Sequence, residues 1–371
     1  MLHSKSGKVR LAVCAAAIIT VTASMASPAF SQITVNYTIG SSLASDPQSA
    51  QIIGAFQRAA NNWTSQFDNT FKFNFTIDFS QLSVGVLGST NSSKGTISYD
   101  GYRSALAGTA HSADDFQAIS SLPTSSSLPL LLNGVRDNPN GRGSLIPYLD
   151  NNGDANNATI RMTLANAKAM GLLDPNNSAT DAAITFSSRY RSYFDFNPDD
   201  GISAGQFDFV GIATHEIGHA LGFISGVDTL DINRPTTGSM NFYSYQFTYV
   251  SPLDTFRYST ISSGINGGVV DFTIGSAGQY FSLDRGQTRI ADFSTGSVYG
   301  DGRQASHWKD NLGIGLMDPT ADFAESLRIS NTDLRAFDVI GYTLVPEPGV
   351  VAFGIIAGTS LLGLIIRKRK P

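Results

Sequence analysis

The stretch THEIGHALGFISGVD, Thr214 to Asp228, places two histidines and a glutamate in a segment that reads as a helix. That helix runs from Asp208 to Leu221: an aspartate suits its N-cap, and Gly222 supplies its stop. His215 and His219 are four residues apart, so both imidazoles leave one helical face within reach of a single ion. Glu216 follows, ~100° round the axis. Its carboxylate can reach a water on that ion without ligating the ion itself. Zinc, Zn2+, brings the pKa of such a water from ~16 toward ~7. Glu216 would take the proton as the water attacks a carbonyl, then pass it to the leaving amine.

A catalytic zinc of this kind takes three protein ligands, and the third does not follow at once. Six residues after His219 stands Ser225, whose hydroxyl is a poor ligand beside imidazole or carboxylate. Asp228 reaches only if the turn takes a different shape, and Glu325 is a candidate in another type of site. The chain has five histidines. His3 lies near the N-terminus, His111 stands alone in a loop and needs no function, and two are in the motif. His307 remains, in QASHWKDNLGIGLMDPT, with Met317 ten residues on.

A HExxHxxGF helix, a long insertion, a late SHW histidine and an LMDP turn resemble the leishmanolysin-type metzincins. In the common metzincin pattern the third ligand lies where Ser225 stands here; in this family it is displaced downstream. The resemblance implies His215, His219 and His307 as metal ligands and Glu216 as general base. It also implies Met317 as the methionine forming a floor under the metal, and ISNTDLRAFDVIGY as the closing helix. The matching motifs span about residues 181–342, with the insertion at about 225–306 expected to form hairpins and loops. Unlike leishmanolysin itself, the mature chain has no cysteine and no evident room for a propeptide, so cysteine-based latency is excluded.

Both ends read as targeting segments. Residues 1–31 carry Lys5, Lys8 and Arg10, then the apolar LAVCAAAIITVTA and small residues before a cleavage point, the pattern of a secretory signal peptide. Residues 345–371 hold Pro346-Glu347-Pro348, an apolar run from Gly349 to Ile366 and four basic residues, the pattern of a C-terminal transmembrane helix. The same order resembles the PEP-CTERM sorting signal, which implies transient inner-membrane anchoring and processing by an exosortase-type enzyme. The expected destination is the cell envelope or extracellular matrix.

The body between, residues 32–344, keeps 18 of the 25 Lys and Arg and 29 of the 30 Asp and Glu, a net charge near −11. That excludes a nucleic-acid partner, which requires a basic face. The only cysteine, Cys14, lies in the signal segment, so no disulfide is expected. ITVNYTI (Ile33–Ile39) and FKFNFTIDF (Phe71–Phe79) alternate as strands, with a helix between them started by Asp46-Pro47. Ile52, Phe56, Ala59, Trp63 and Phe67 fall on one face of that helix. ATIRMTLANAKAMGLL reads as a strand running into a helix, and YRSALAG and SADDFQAISSLP as short helices. LDNNGDANN and DFNPDDGI resemble calcium loops but lack the full EF-hand spacing; polar turns are the better reading.

The fold class expected is α+β: an upper mixed twisted sheet with two helices over an irregular lower subdomain, the arrangement of a metzincin-like zincin. DAAITFSS (Asp181–Ser188) is expected at the sheet edge above the cleft, where a peptide could add as a strand. The function expected is an exported zinc endopeptidase acting on polypeptides. The alternatives are a non-catalytic envelope or biofilm-matrix protein on a metalloprotease fold, and a zinc amidase acting on cell-wall peptide.

Overall fold

Phe73, Phe75, Ile77 and Phe79 alternate with polar residues along β2 (Lys72–Ser80), and all four are buried. This period-2 pattern puts one face of the strand against apolar partners. β1 (Thr34–Ile39) lies parallel to it, Thr34 opposite Lys72 and Ile39 opposite Ile77. Two parallel neighbours need a crossover, and the chain makes it through α1 (Ser41–Ala44) and α2 (Ser49–Thr64). α2 buries Ile52, Phe56, Ala59 and Trp63; the Phe56 ring sits 5.0 Å from that of Phe75. Asp46 does not cap this helix. Its carboxylate accepts from the backbone N–H of Gln48 and pairs with Arg191 through two hydrogen bonds, so the helix begins three residues later.

The computed structural model describes residues 33–234, 242–275 and 278–346. The expected signal peptide and the apolar C-terminal run lie outside the described residues. Among the described residues no helix is long and apolar enough to cross a membrane.

The class is α+β, with several small sheets. The upper sheet is completed by β3 (Gly88–Ser92) and by the strand Ala182–Ser187, which lies between β2 and β3. Ala182–Ser187 is parallel to β2 and antiparallel to β3, so the sheet is mixed. DAAITFSS is therefore an interior strand and not the edge. Four of its six strand residues are buried, and both of its edges are hydrogen-bonded. The edge on that side is β3, GSTNS, whose small polar side chains carry no alternating apolar signal.

The chain then runs through β4 (Lys94–Ser98), α3 (Tyr99–Thr109), α4 (Ala113–Ser121), β5 (Leu130–Leu132) and β6 (Tyr148–Asp150). α5 (Ala155–Ala158), β7 (Thr159–Thr163) and α6 (Leu164–Ala169) follow, and β7 pairs antiparallel with β4. After the interior strand, now β8, α7 (Phe209–Leu221) packs beside α2 and across β3. The Phe209 ring lies 4.6 Å from that of Phe186 on β8. Lys168 and Asp181 form a fully buried ion pair at 2.7 Å, which ties α6 to the start of β8.

Within the segment 225–306, after α8 (Val227–Asn233), Arg257–Tyr258, Tyr280–Phe281 and Ala291–Asp292 make a small antiparallel sheet. Val270–Phe272 pairs parallel with β5, far upstream. This segment therefore combines an antiparallel sheet of its own with one strand that completes a sheet begun before the motif.

Candidate metal centre

α7 starts where Asp208 accepts a hydrogen bond from the Gly211 N–H at 2.8 Å, and its other oxygen accepts from Leu327. It ends at Gly222, whose φ of 132° is strained for any residue with a side chain. This stop turns the chain back so that the carbonyl of Phe223 accepts from His219 Nδ1 at 2.7 Å. His215 donates its Nδ1 proton to the carbonyl of Leu316 at 2.9 Å, and His307 faces the carbonyl of Gln304 at 3.2 Å.

The structure brings His215, His219 and His307 together, close enough to hold a metal ion. Their Nε2 atoms stand 3.1–3.2 Å apart. A carbonyl oxygen only accepts, so each ring carries its proton on Nδ1 and presents a bare Nε2 lone pair to the other two. Three converging lone pairs with no proton between them repel, and a cation at their meeting point removes the repulsion. A tetrahedral ion with bonds of about 2.0–2.1 Å needs its nitrogens about 3.3–3.4 Å apart. The donor set fits. Burial, then the neighbouring His215, holds His219 down at about 3; burial, then the other two imidazoles, holds His307 well below the ordinary range. Both rings are neutral at pH 7, as ligands must be.

Glu216 is buried beside this triad, in a cleft of about 1000 Å³. Its Oε2 accepts from the Thr90 hydroxyl at 2.7 Å. A methyl group at Gly88 would stand 2.6 Å from its Oε1, so the bare glycine on β3 leaves room for the carboxylate. Burial pushes the Glu216 carboxyl above its ordinary value, while the nearby His215 and the Thr90 hydroxyl pull it down.

Ser225 and Asp228 are not ligands in this arrangement. The Ser225 hydroxyl donates to Asp254 at 2.5 Å, and its N–H donates to Ser306. Asp228 accepts from the N–H groups of Ala305 and Ser306 and from the Ser306 hydroxyl, which fixes the two residues before His307. Glu325 is exposed and accepts from the N–H of Asp322; His111 is exposed. Met317 is fully buried, and a methyl group at Gly218 would stand 2.6 Å from its sulfur. It therefore packs directly against the inner face of α7.

Sequence reasoning did not find Thr90, Gly88 or Asp333. Asp333, in the last helix among the described residues (Asn331–Val339), accepts from Trp308 Nε1, Ser330 N, Leu316 N and Met317 N. Its one sequence signal is Ser330 three residues earlier, a helix-capping pair, which says nothing of the turn it holds. The two acidic loops form turns of their own: Asp195 accepts from Asn197 N and Ser203 N, and Asp150 from Asn156 Nδ2.

The chain matches no protein-family model, no curated protein and no solved structure.

Proposed function

We propose that this chain is an exported zinc-dependent endopeptidase of the metzincin type, resembling leishmanolysin in its postponed third ligand. The observation that carries this reading is the cluster of three Nε2 atoms 3.1–3.2 Å apart, with Glu216 in the same cleft. His215, His219 and His307 would hold the zinc, with Met317 as the floor methionine. Bound there, zinc supplies a Lewis acid that acidifies water and polarises a carbonyl. Glu216 accepts the water proton at Oε1, the oxygen that Thr90 does not engage, and delivers it to the leaving nitrogen. Burial raises its affinity for that proton.

A polypeptide substrate is supported by β3. It is the last strand of its sheet, and Gly88, Ser89 and Thr90 line the cleft. An extended peptide can bond to that free edge as a fifth strand while its scissile carbonyl faces the triad. Under this reading the signal segment exports the chain. The C-terminal segment holds it briefly in the inner membrane, and an exosortase-type enzyme releases it to the envelope or matrix.

The test pairs zinc content with casein digestion. Wild-type protein is expected to hold one zinc and cut casein. Glu216→Ala should keep the zinc and lose the cleavage. Undiminished digestion by the variant refutes the role of Glu216; a zinc-loaded wild type that cuts no polypeptide refutes the protease reading.

A further inference from the structure

The cleft has two unlike ends. At one end stand Tyr190 and Phe207, their rings 6.2 Å apart. At the other, past His219, the wall is the ribbon of β4 and β7. Its register sets Thr96 opposite Arg161 and Lys94 opposite Thr163. Lys94 and Thr96 share a face, so Lys94 and Arg161 are diagonal neighbours on that face, and both line the cleft. The Arg161 guanidinium lies over the Tyr249 ring, 4.8 Å from its centre, which fixes its position. The Lys94 ammonium donates to the carbonyl of Ser92 at 3.1 Å, and Ser92 is bonded in turn to the carbonyl of His219.

Neither cation has a carboxylate within ion-pair distance among the described residues. The other charged side chains lining the cleft are already engaged: Arg303 pairs with Asp310, Asp228 accepts from the Ser306 backbone, Glu216 from Thr90 and Asp318 from Thr320. Although Lys94 is exposed as a residue, its ammonium leans into the wall. Lost hydration first, and the Arg161 charge second, hold it below the ordinary amine value. Two like charges held close on a cleft wall repel, and an anion between them relieves that repulsion.

We propose that Lys94 and Arg161 form a subsite for a carboxylate of the substrate chain, next to the scissile bond on the His219 side. The carboxylate comes either from an aspartate or glutamate side chain or from the substrate's own C-terminus. This inference rests on the peptidase reading and adds a charge preference to it. An arginine matched to a carboxylate supplies paired, directed donors, and the lysine adds a second charge. Partial exposure keeps the effect to about tenfold.

The experiment uses peptides built on one casein segment, each with glutamate, glutamine or lysine at one position in turn. A second series carries a free or an amidated C-terminus. Cleavage is read as kcat/KM, and binding is read separately as fluorescence anisotropy on zinc-loaded Glu216→Ala. The wild type should favour one glutamate position, or the free terminus, by about tenfold. Lys94→Gln with Arg161→Gln should abolish the preference, and Lys94→Glu with Arg161→Glu should invert it toward lysine, with zinc content unchanged. Equal treatment of charged and neutral peptides by the wild type overturns the subsite, as does a preference that survives the double substitution. If no peptide is cut, the binding arm still decides: a tenfold preference there upholds the subsite while the protease reading fails.

Discussion

Replacing Asp333 by asparagine tests whether the helix Asn331–Val339 holds the three clustered histidines in place. Asp333 is fully buried. Its Oδ1 accepts from Trp308 Nε1 at 2.8 Å and Met317 N at 3.3 Å; its Oδ2 accepts from Ser330 N at 2.7 Å and Leu316 N at 2.8 Å. Asparagine changes one oxygen into a donor, so two of these four N–H groups lose their acceptor whichever way the amide turns. Each buried donor left unpaired costs about 1–3 kcal/mol, so the variant should lose about 2–6 kcal/mol. That is a large part of the total of about 5–15 kcal/mol usual for a folded protein. At a urea slope of about 3 kcal/mol per molar, the midpoint should fall by about 0.7–2 M.

The same bonds reach the site. One turn of the amide frees the N–H of Leu316, whose carbonyl accepts from His215 Nδ1; the other frees Trp308 Nε1, next to His307. Loss of such support around a metal costs about 10–100-fold in affinity. The assay is urea unfolding of the zinc-loaded protein, with zinc affinity measured by competition against a chromophoric chelator. A variant within about 0.5 kcal/mol of wild type, binding zinc equally well, would show that the reasoning is wrong.

Three further outcomes are expected. His307→Ala should abolish tight zinc binding, whereas Asp228→Asn, which only loosens Ala305 and Ser306, should weaken it by about 10–100-fold; chelator competition ranks the two, and equal losses would contradict the assignment. Gly88→Ala should push the Glu216 carboxylate aside; kcat should fall at least about tenfold with zinc content intact, and an unchanged kcat would place the carboxylate elsewhere. Burial first, then the nearby Asp115 and Asp114, raises the Asp338 carboxyl to about 7, while Ser112 and Arg335 pull it down. Because the folded value lies above the ordinary 3.8, the folded state binds the proton more tightly. The stability this group contributes is therefore full below about pH 4 and lost as pH rises through about 7. Asp338→Asn should flatten the decline in urea midpoint between about pH 4 and pH 7, and an identical pH profile would refute the assignment.

Much of the upper sheet was legible because its signals are local. The alternation in β2 and the apolar face of α2 each repeat within a few residues, and the structure buries those side chains. Asp208 and Gly222 marked the ends of α7 for the same reason: a cap and a positive-φ stop are single-residue events. The strand order was not legible. Ala182–Ser187 looks like any short strand, and its interior place depends on partners about a hundred residues away. β3 was missed because what it brings to Glu216 is a bare glycine and a threonine hydroxyl, neither of which leaves a pattern.

The sequence by itself determined the chemistry on offer: two imidazoles and a carboxylate at fixed angles on one helix, and one more histidine to join them. Spacing of four on a helix is geometry that needs no other part of the chain. The tertiary structure alone decided whether that histidine arrives. It places His307 Nε2 3.2 Å from both partners, and gives Ser225 and Asp228 the task of bracing the segment before it. It also chose the carbonyls that set each ring's proton and the glycine that admits Glu216. These are contacts between residues some 80 to 130 positions apart, or depend on where a loop happens to pass. Distance in space between such residues is fixed by packing of the whole chain, which no local period encodes.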